Sequence, residues 1–278
     1  MSDPVSSPYP AGDPAPAIVD GRTVERIDAS TLGTRSLRYY DFAMVAFVVV
    51  LLLSNLIGAS KLSTFNGSVY GAGILFFPLG YVLGDILTEV YGYARARRCV
   101  WMGFFAMLFM ATMSYIVVAL PPFTHWDCGT ENSAVLKGLL DSHPTGDICQ
   151  ATYVAVFGNT WRLVLASIVA FWAGEFVNSF VLAQMKVWTG GRKLWARTIG
   201  STIVGQGVDS LLFYPLAFYG VWSNAQVLTV LVTNWALKVL WEAVLTPVTY
   251  AVVGFLKRRE GLDIYDTATD FTPFATRV

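Results

Sequence analysis

The sequence predicts an all-α polytopic membrane protein, a bundle of six transmembrane helices with the N and C termini in the cytoplasm. Hydrophobic residues make up 55% of the 278 residues and charged residues only 14%, with a mean hydropathy of +0.53. These values are more apolar than those of soluble domains. The apolar residues form six long runs, and Lys and Arg collect in alternate segments between them. A net charge of zero offers no basic face, so we expect no nucleic-acid partner.

Residues 1–36 precede the first apolar run and are rich in Pro, Ser, Ala and Asp. Such a stretch buries too little apolar surface to offset the entropy of the chain, so it is predicted to be a disordered cytoplasmic tail. It lacks the basic region and short apolar stretch of a cleaved signal peptide. The first apolar run is therefore expected to be a retained helix.

Residues 37–260 are predicted to form the transmembrane domain, and 261–278 a cytoplasmic C-terminal tail. About 20 apolar residues cross a hydrocarbon core roughly 30 Å thick, and five of the six runs have about this length. The sixth is longer, so we expect it to tilt and to bend near Pro247. The runs cover 41–59, 69–88, 99–120, 162–186, 199–222 and 227–256.

The distribution of Lys and Arg predicts the orientation. Twelve lie in one set of alternate segments and three in the other, which assigns the first set and both termini to the cytoplasm. The twelve are Arg35, Arg38, Arg95, Arg97, Arg98, Lys186, Arg192, Lys193, Arg197, Lys257, Arg258 and Arg259, and the three are Lys61, Lys137 and Arg162.

The segment 121–160 is then an outer loop, and it contains Cys128 and Cys149. An oxidising exterior permits a disulfide between them, and two unpaired thiols are equally compatible with the sequence. His125 and His143 lie in the same loop, but their spacing is not that of a metal site, so no metal is expected. Hydrolase, nucleotide-binding and redox motifs are absent, so we expect no cofactor and no enzymatic activity.

Charged side chains at membrane depth are the main functional candidates. Glu175, Asp209 and Lys238 each lie near the middle of a predicted helix, where insertion of a charge costs about 2.5–3.5 kcal/mol. Three helices that each carry a charge at one depth favour a binding site for a small polar molecule. The alternative is that these side chains pair with one another and only hold the bundle together.

Polar and aromatic neighbours of these charges extend the predicted substrate-binding site. Trp172 and Glu175 share one helical face, Gln206 and Asp209 another, and Trp235, Lys238 and Glu242 a third. Lys238 and Glu242 stand in the less favourable order for an ion pair within one helix, so at least one is expected to reach another helix or the ligand. The complete predicted set is Asn55, Trp172, Glu175, Asn178, Gln206, Asp209, Asn234, Trp235, Lys238 and Glu242.

A second polar cluster, GDILTEVYG followed by ARARR, lies at the cytoplasmic end of the second run. Asp85 and Glu89 are one helical turn apart, and Arg95, Arg97 and Arg98 follow. The sequence predicts an acidic and basic gate in which Asp85, Glu89 and Arg95 pair in one conformation and separate in another. Static pairing at the surface is the alternative.

Several segments in one order resemble the queuosine precursor transporter family, also called the vitamin uptake transporter family. They are SNLIGASKL, FFPLGYVLGDILTEVYGYARAR, GEFVNSFVL, TIGSTIVGQGVDSLLF, NWALKVLWEAVLTPVTY and REGLDIYDTATDFTPF, and the resemblance runs from about residue 41 to 274. Glu175 stands where many members have Gln.

The resemblance implies uptake of a 7-deazaguanine, such as 7-cyano-7-deazaguanine, its aminomethyl form or queuine, by a multi-pass protein of the bacterial inner membrane. The base would serve the salvage of queuosine in tRNA. A guanine-like base has adjacent N–H donors for a carboxylate and a face on which tryptophan can stack. Other readings are uptake of another vitamin or nucleobase within an energised complex, and an intramembrane enzyme. A homodimer or an energising partner in the lipid bilayer is expected.

Overall fold

Long α-helices account for most of the chain in the computed structural model. The structure describes residues 17–19, 22–28, 37–58, 62–65, 68–71, 76–121, 150–158, 161–220, 223–267 and 269–275. The helices are α1 (Tyr40–Leu53, continued by a π-helical turn at Ser54–Gly58), α2 (Phe77–Tyr91), α3 (Tyr93–Ala119), α4 (Gln150–Phe157), α5 (Trp161–Trp188), α6 (Leu194–Phe218) and α7 (Asn224–Glu260). The strands are β1 (Ala17–Val19), β2 (Arg22–Asp28), β3 (Leu62–Phe65), β4 (Ser68–Gly71) and β5 (Leu262–Tyr265).

Local sequence signals define several helix ends. α7 begins with a capping box, in which the Ser223 side chain accepts from the Gln226 amide and the Gln226 side chain accepts from the Ser223 amide. It continues without a break through Pro247 to Glu260. Gly92 alone separates α2 from α3, and its φ of 81° is the left-handed conformation that glycine adopts without steric cost.

α2 is the central helix of the bundle. It packs against α1, α3, α5 and α7 and against β5, and every residue from 84 to 91 is buried. A helix that is covered on all sides is normally apolar. The charged residues on α2 are therefore surrounded by protein, which makes their partners informative.

Four helical segments in the described part of the chain are long and apolar enough to cross a membrane. They are Tyr40–Ile57, Tyr93–Ala119, Val164–Trp188 and Asn224–Glu260, and they coincide with four of the six predicted spans. Their outward faces carry large exposed apolar side chains, such as Phe105 and Phe109 on α3, as expected for contact with lipid. The chain is thus a multi-pass α-helical membrane protein.

The other two predicted spans correspond to α2 and α6. α6 covers most of the predicted 199–222 and packs between α5 and α7. The predicted start of the second span at residue 69 is wrong, because Ser68–Gly71 form β4, which pairs with β3, and the helix begins only at Phe77. Ser, Val, Tyr and Gly in that stretch suit a hairpin strand as well as an apolar helix.

Strands at the chain ends pair with each other. β2 runs antiparallel to β1 and parallel to β5, with Glu25 opposite Leu262 and Asp28 opposite Tyr265. Ala17–Val19 and Arg22–Asp28, within the segment predicted to be disordered, thus form strands in this structure, and Glu25–Asp28 pair with the C-terminal segment. Local composition could not reveal this pairing, because the two strands are more than 200 residues apart in the sequence.

Candidate functional site

Three acidic side chains from three helices meet inside the bundle. Asp85 of α2, Glu175 of α5 and Glu242 of α7 are 0%, 3% and 1% exposed, and they are close enough to interact electrostatically. The carboxylate of Glu175 lies against Gly84, where a Cβ atom would overlap its Oε1. Asp85, predicted as a gate residue, therefore belongs to the same cluster as the two predicted substrate-binding carboxylates.

Most polar atoms of this carboxylate cluster have no hydrogen-bond partner among the described residues. Asn178 Nδ2 donates to Asp85 Oδ1 at 2.8 Å. Asp85 Oδ2, Glu175 Oε1 and both oxygens of Glu242 lack a partner, as do Asn178 Oδ1 and Trp172 Nε1 nearby in sequence. Each unsatisfied buried polar atom costs about 1–3 kcal/mol, and such groups are uncommon unless they have a function. The cluster is thus equipped to bind a ligand rich in hydrogen-bond donors.

Small residues let α5 and α6 approach closely beside this cluster. A Cβ atom on Gly174 would lie 2.7 Å from Asp209 Cβ, and one on Gly205 would lie 2.5 Å from Asn178 Cβ. Glycine pairs of this kind allow the backbones of membrane helices to touch. Their role here is to set Asn178 and Asp209 at fixed positions on facing helices.

Asp209 and Lys238 form an ion pair that joins α6 to α7. Lys238 Nζ lies 2.5 Å from Asp209 Oδ2 and 3.2 Å from Gln206 Oε1, and 5.6 Å from the centre of the Tyr81 ring. The two charged side chains are 15% and 18% exposed. Lys238 thus reaches across to another helix, as expected from its order with Glu242. The structure brings together three of the predicted residues here, and this pair has a structural role in addition to any contact with substrate.

The predicted tryptophans have different surroundings. Trp172 packs in an aromatic group with Trp101 and Phe274, at ring-centre distances of 5.9 and 6.0 Å. Trp235 instead donates its Nε1–H to the Ile203 carbonyl at 3.0 Å and so ties α7 to α6. Of these two tryptophans, Trp172 is the one whose buried indole N–H has no partner among the described residues.

Asn234 and Asn55, the remaining amides of the predicted site, donate hydrogen bonds to backbone carbonyls of their own helices. Asn234 Nδ2 donates to the Val230 carbonyl of its own helix at 2.9 Å. Asn55 Nδ2 donates to the Leu51 carbonyl at 2.9 Å, and its Oδ1 accepts from Ser167 Oγ at 3.2 Å. Asn55 therefore links α1 to α5 through a side-chain hydrogen bond.

Glu89 is the centre of a buried ion network at the other end of α2. Arg197 holds it through two hydrogen bonds of 2.6 and 3.2 Å, Lys257 lies at 2.7 Å, and Lys186 at 3.5 Å. Both lysines also pair with Asp263, at 2.9 Å from Lys186 and 2.7 Å from Lys257. This Glu89 network, defined by these five residues, connects α2, α5, α6, α7 and the C-terminal segment.

Among the described residues, the cations that pair with Glu89 in this structure are not the arginines proposed for the gate, and the gate itself stays a prediction. Gly92 ends α2 between Glu89 and the arginines that follow it, so those arginines belong to α3. The Arg95 carbonyl accepts from Tyr40, and Arg97 donates to the carbonyls of Asp270 and Thr272. The cations that pair with Glu89 are Lys186, Arg197 and Lys257, which the sequence places among the positive charges on the cytoplasmic side.

The electrostatics of the network are clearest at Asp263, which lies after the last helix. Burial acts to raise the pKa of this carboxyl, but Lys186 and Lys257 outweigh it and hold the pKa well below its usual range. Asp263 is therefore ionised at every pH at which the protein is expected to work. The sequence signal that could have identified it is the GLDIYD stretch, which is part of the family resemblance.

The C-terminal segment continues along α3 after β5. Asp266 accepts from the Tyr93 amide at 3.0 and 3.1 Å, and Trp101 Nε1 donates to the Pro273 carbonyl at 2.9 Å. Phe271 packs against Tyr93, with ring centres 5.0 Å apart. The described part of the predicted tail is thus bound to the helices through backbone and aromatic contacts.

The predicted outer loop cannot be compared with the structure over most of its length. Cys128 and Cys149, with their open question of a disulfide, lie outside the described residues, as do His125 and His143. Cys99 is a buried free thiol that contacts the Tyr40 hydroxyl at 3.4 Å. It has no evident part in the carboxylate cluster.

Comparison with known proteins places these residues in a family context. Residues 71–252 match the family described as "Putative vitamin uptake transporter", a range that contains the carboxylate cluster and the Asp209–Lys238 pair. A "Probable queuosine precursor transporter" of Bacillus subtilis is 27% identical over 230 residues, which cover 76% of this chain and 91% of that protein. A second protein of that name from Haemophilus influenzae is 22% identical over 181 residues, 64% of this chain and 63% of the relative. No solved structure matches.

Proposed function

We propose, from the premise that this chain belongs to the vitamin uptake transporter family, that it imports queuosine precursors across the bacterial inner membrane. The chain is a membrane transporter and not an enzyme, as its family and its relatives are transporters. The proposed cargo is a 7-deazaguanine such as 7-cyano-7-deazaguanine, its aminomethyl form or queuine. The names of the two relatives support this class of substrate.

The observation that carries the proposal is the set of unsatisfied acceptors in the carboxylate cluster. A deazaguanine presents adjacent N–H donors, which one carboxylate of Asp85 or Glu175 accepts as a pair. Its carbonyl oxygen accepts from a neighbouring donor, for which the Trp172 indole is the candidate. Recognition by matched hydrogen bonds discriminates strongly, because an analogue without the donors leaves a buried carboxylate unpaired.

The proposed topology has six transmembrane helices with both termini in the cytoplasm, where α2 and α6 supply the two spans beyond the four long apolar helices. Their packing against the other helices supports this arrangement. Reporter fusions at Gly191 and after Val278 should give cytoplasmic signals, and one at Ser133 an external signal. An external signal at Gly191 would contradict the six-span arrangement.

Ligand binding to the purified protein tests the substrate class directly. A panel of deazaguanines, purines and vitamins is titrated against wild type, Glu175→Gln and the exposed control Asp41→Asn. Charge-assisted hydrogen bonds contribute about 1.5–3 kcal/mol each, so loss of the carboxylate should weaken deazaguanine binding roughly a hundredfold. The control should bind as wild type does.

Two outcomes would redirect the proposal. Preferential binding of another vitamin or nucleobase would support the broader family description and a role as substrate-binding component of an energised complex. Unchanged deazaguanine binding in both Glu175→Gln and Asp85→Asn, with normal folded yield, would show that the base is recognised outside the carboxylate cluster.

A further inference from the structure

We propose that import through this chain is driven by protons and that Glu242 is the residue that carries the proton. The inference rests on the proposed function, since it concerns the same buried site. It extends that function by naming the coupling ion and a role for one carboxylate that substrate recognition does not require.

Glu242 stands out among the buried carboxylates because neither of its oxygens has a hydrogen-bond partner among the described residues. Asp85, in contrast, accepts from Asn178, and in Glu175 only Oε1 is both fully buried and without a partner among the described residues. Glu242 is 1% exposed and lies on the long apolar helix α7. An ionised carboxylate at such a position, without a cation or a donor, costs several kcal/mol, and binding a proton removes that cost.

The charges that act on Glu242 from neighbouring helices strengthen this argument, because they are acidic. Asp85 on α2 and Glu175 on α5 both interact with it electrostatically. Asp209 on α6 acts on Glu175, and Glu89 acts on Asp85 from one turn further along α2. Like charges at close range cannot all remain ionised, so a proton on one member lowers the energy of the others.

The cations of the surrounding helices are already bound to other acids. Lys238, one turn before Glu242 on α7, pairs with Asp209 and also contacts Gln206. Tyr81 on α2 lies beside that lysine. The cations near Glu89 form the Glu89 network with Glu89 and Asp263; they are Lys186, Arg197 and Lys257. The carboxylate cluster therefore depends on protons for neutralisation, and the substrate can supply only hydrogen-bond donors.

This arrangement couples the two ligands. A proton on Glu242 reduces the repulsion in the cluster, which allows Asp85 or Glu175 to stay ionised and to accept the N–H donors of the base. Substrate and proton thus favour each other's binding, as reciprocal linkage requires. The proton moves with the base from the acidic outer side to the cytoplasm. There, release of the proton from the protein promotes release of the base, and the reverse.

Transport in proteoliposomes that contain the full chain tests the coupling. Radiolabelled 7-cyano-7-deazaguanine is supplied outside, with the membrane potential clamped at zero and a pH-sensitive dye inside. One proton per neutral base predicts accumulation of about tenfold for each pH unit of inward gradient, and acidification of the lumen when substrate is added. Uptake that stops at equilibrium whatever the pH gradient, or that needs a sodium gradient, would overturn the proposal and leave the proposed function intact.

Glu242→Gln tests the assignment of the residue. The amide mimics the protonated carboxyl and cannot release a proton, so accumulation should fall to the equilibrium level and the dye response should vanish. Asp41→Asn, an exposed substitution at the start of α1, is the control and should keep both. Proton-driven accumulation that persists in Glu242→Gln would show that another group carries the proton.

A second measurement keeps the inference testable without transport. The infrared spectrum of the purified protein contains the C=O stretch of protonated carboxyl groups, and the difference between the spectra of wild type and a variant shows whether such a group has been removed. Wild type at neutral pH should show a band that Glu242→Gln removes and Asp41→Asn retains. Absence of this band would refute protonation of Glu242, whether or not a deazaguanine binds. If the band is present but no deazaguanine binds, the result counts against the proposed substrate class alone.

Discussion

Substitution of Glu89 by Gln is the most direct test of how the bundle is held together. The carboxylate is 1% exposed and neutralises three cations from three helices. Lys186 and Lys257 keep Asp263 as a partner after the change. Among the described residues, Arg197 then keeps only the Gly191 carbonyl at 3.2 Å, so it becomes the uncompensated charge.

The expected loss of stability follows from that stranded guanidinium. Removal of one partner from a buried ion pair costs about 3–5 kcal/mol. For a chain of this size 1 kcal/mol corresponds to about 2–4 °C in Tm, so Glu89→Gln should lower Tm by roughly 6–20 °C. The double variant Glu89→Gln/Arg197→Gln should lose less than the two single variants together, because it removes the stranded charge.

Thermal unfolding of the detergent-purified protein, followed by intrinsic fluorescence, provides the measurement. Asp85→Asn is the matched comparison, since Asp85 lies one turn away on the same buried helix face. It lies among other carboxylates, and no cation pairs with it in the described part of the chain, so its neutralisation should leave Tm unchanged or higher. Equal losses in the two variants would refute the distinction between a paired structural acid and an unpaired functional one.

Three further predictions concern the remaining charged contacts. Asp209→Asn should reduce folded yield because Lys238 loses its carboxylate, and Asp209→Asn/Lys238→Gln should restore much of that yield, as measured by size-exclusion chromatography. Because the pKa of Asp263 is depressed in the folded protein, its ionised carboxylate stabilises the fold fully above the unfolded pKa near 4, and this stabilisation is lost as the pH falls toward the folded pKa. Below about pH 4, the Tm of wild type should therefore fall more steeply than the Tm of Asp263→Asn. Deletion of 269–278 should lower Tm by a few degrees, because Arg97 loses two backbone carbonyls; an unchanged Tm would show that the segment is only loosely bound.

Sequence patterns predicted the helices well where long apolar runs dominate. Four of the predicted spans coincide with long apolar helices, since about twenty apolar residues have few other stable arrangements in a membrane. The second span was placed too early, because the residues of β4 are as apolar as a helix end. Strand pairing between Arg22–Asp28 and Leu262–Tyr265 could not be predicted, since neither segment alone signals its partner.

The candidate site was only partly visible in the sequence. Depth along each helix placed Asp209 and Lys238 at one level, with a binding site as the prediction and mutual pairing as the alternative, and in the structure the two side chains are paired. Depth could not show that Asp85 faces Glu175 and Glu242, since that depends on the rotation of α2 within the bundle. For the same reason Glu89 was matched with nearby arginines, whereas its partners lie about 100 and about 170 residues away.

The two acids of α2 explain how one helix can serve both stability and transport. Asp85 and Glu89 are four residues apart and equally buried, yet Glu89 has three cationic partners and Asp85 a single amide. A satisfied ion network resists rearrangement, because each broken contact strands a charge. An unsatisfied acid gains from any ligand that supplies donors or a proton. The carboxylate cluster therefore lies on a helix whose other end is held by ion pairs to four other elements.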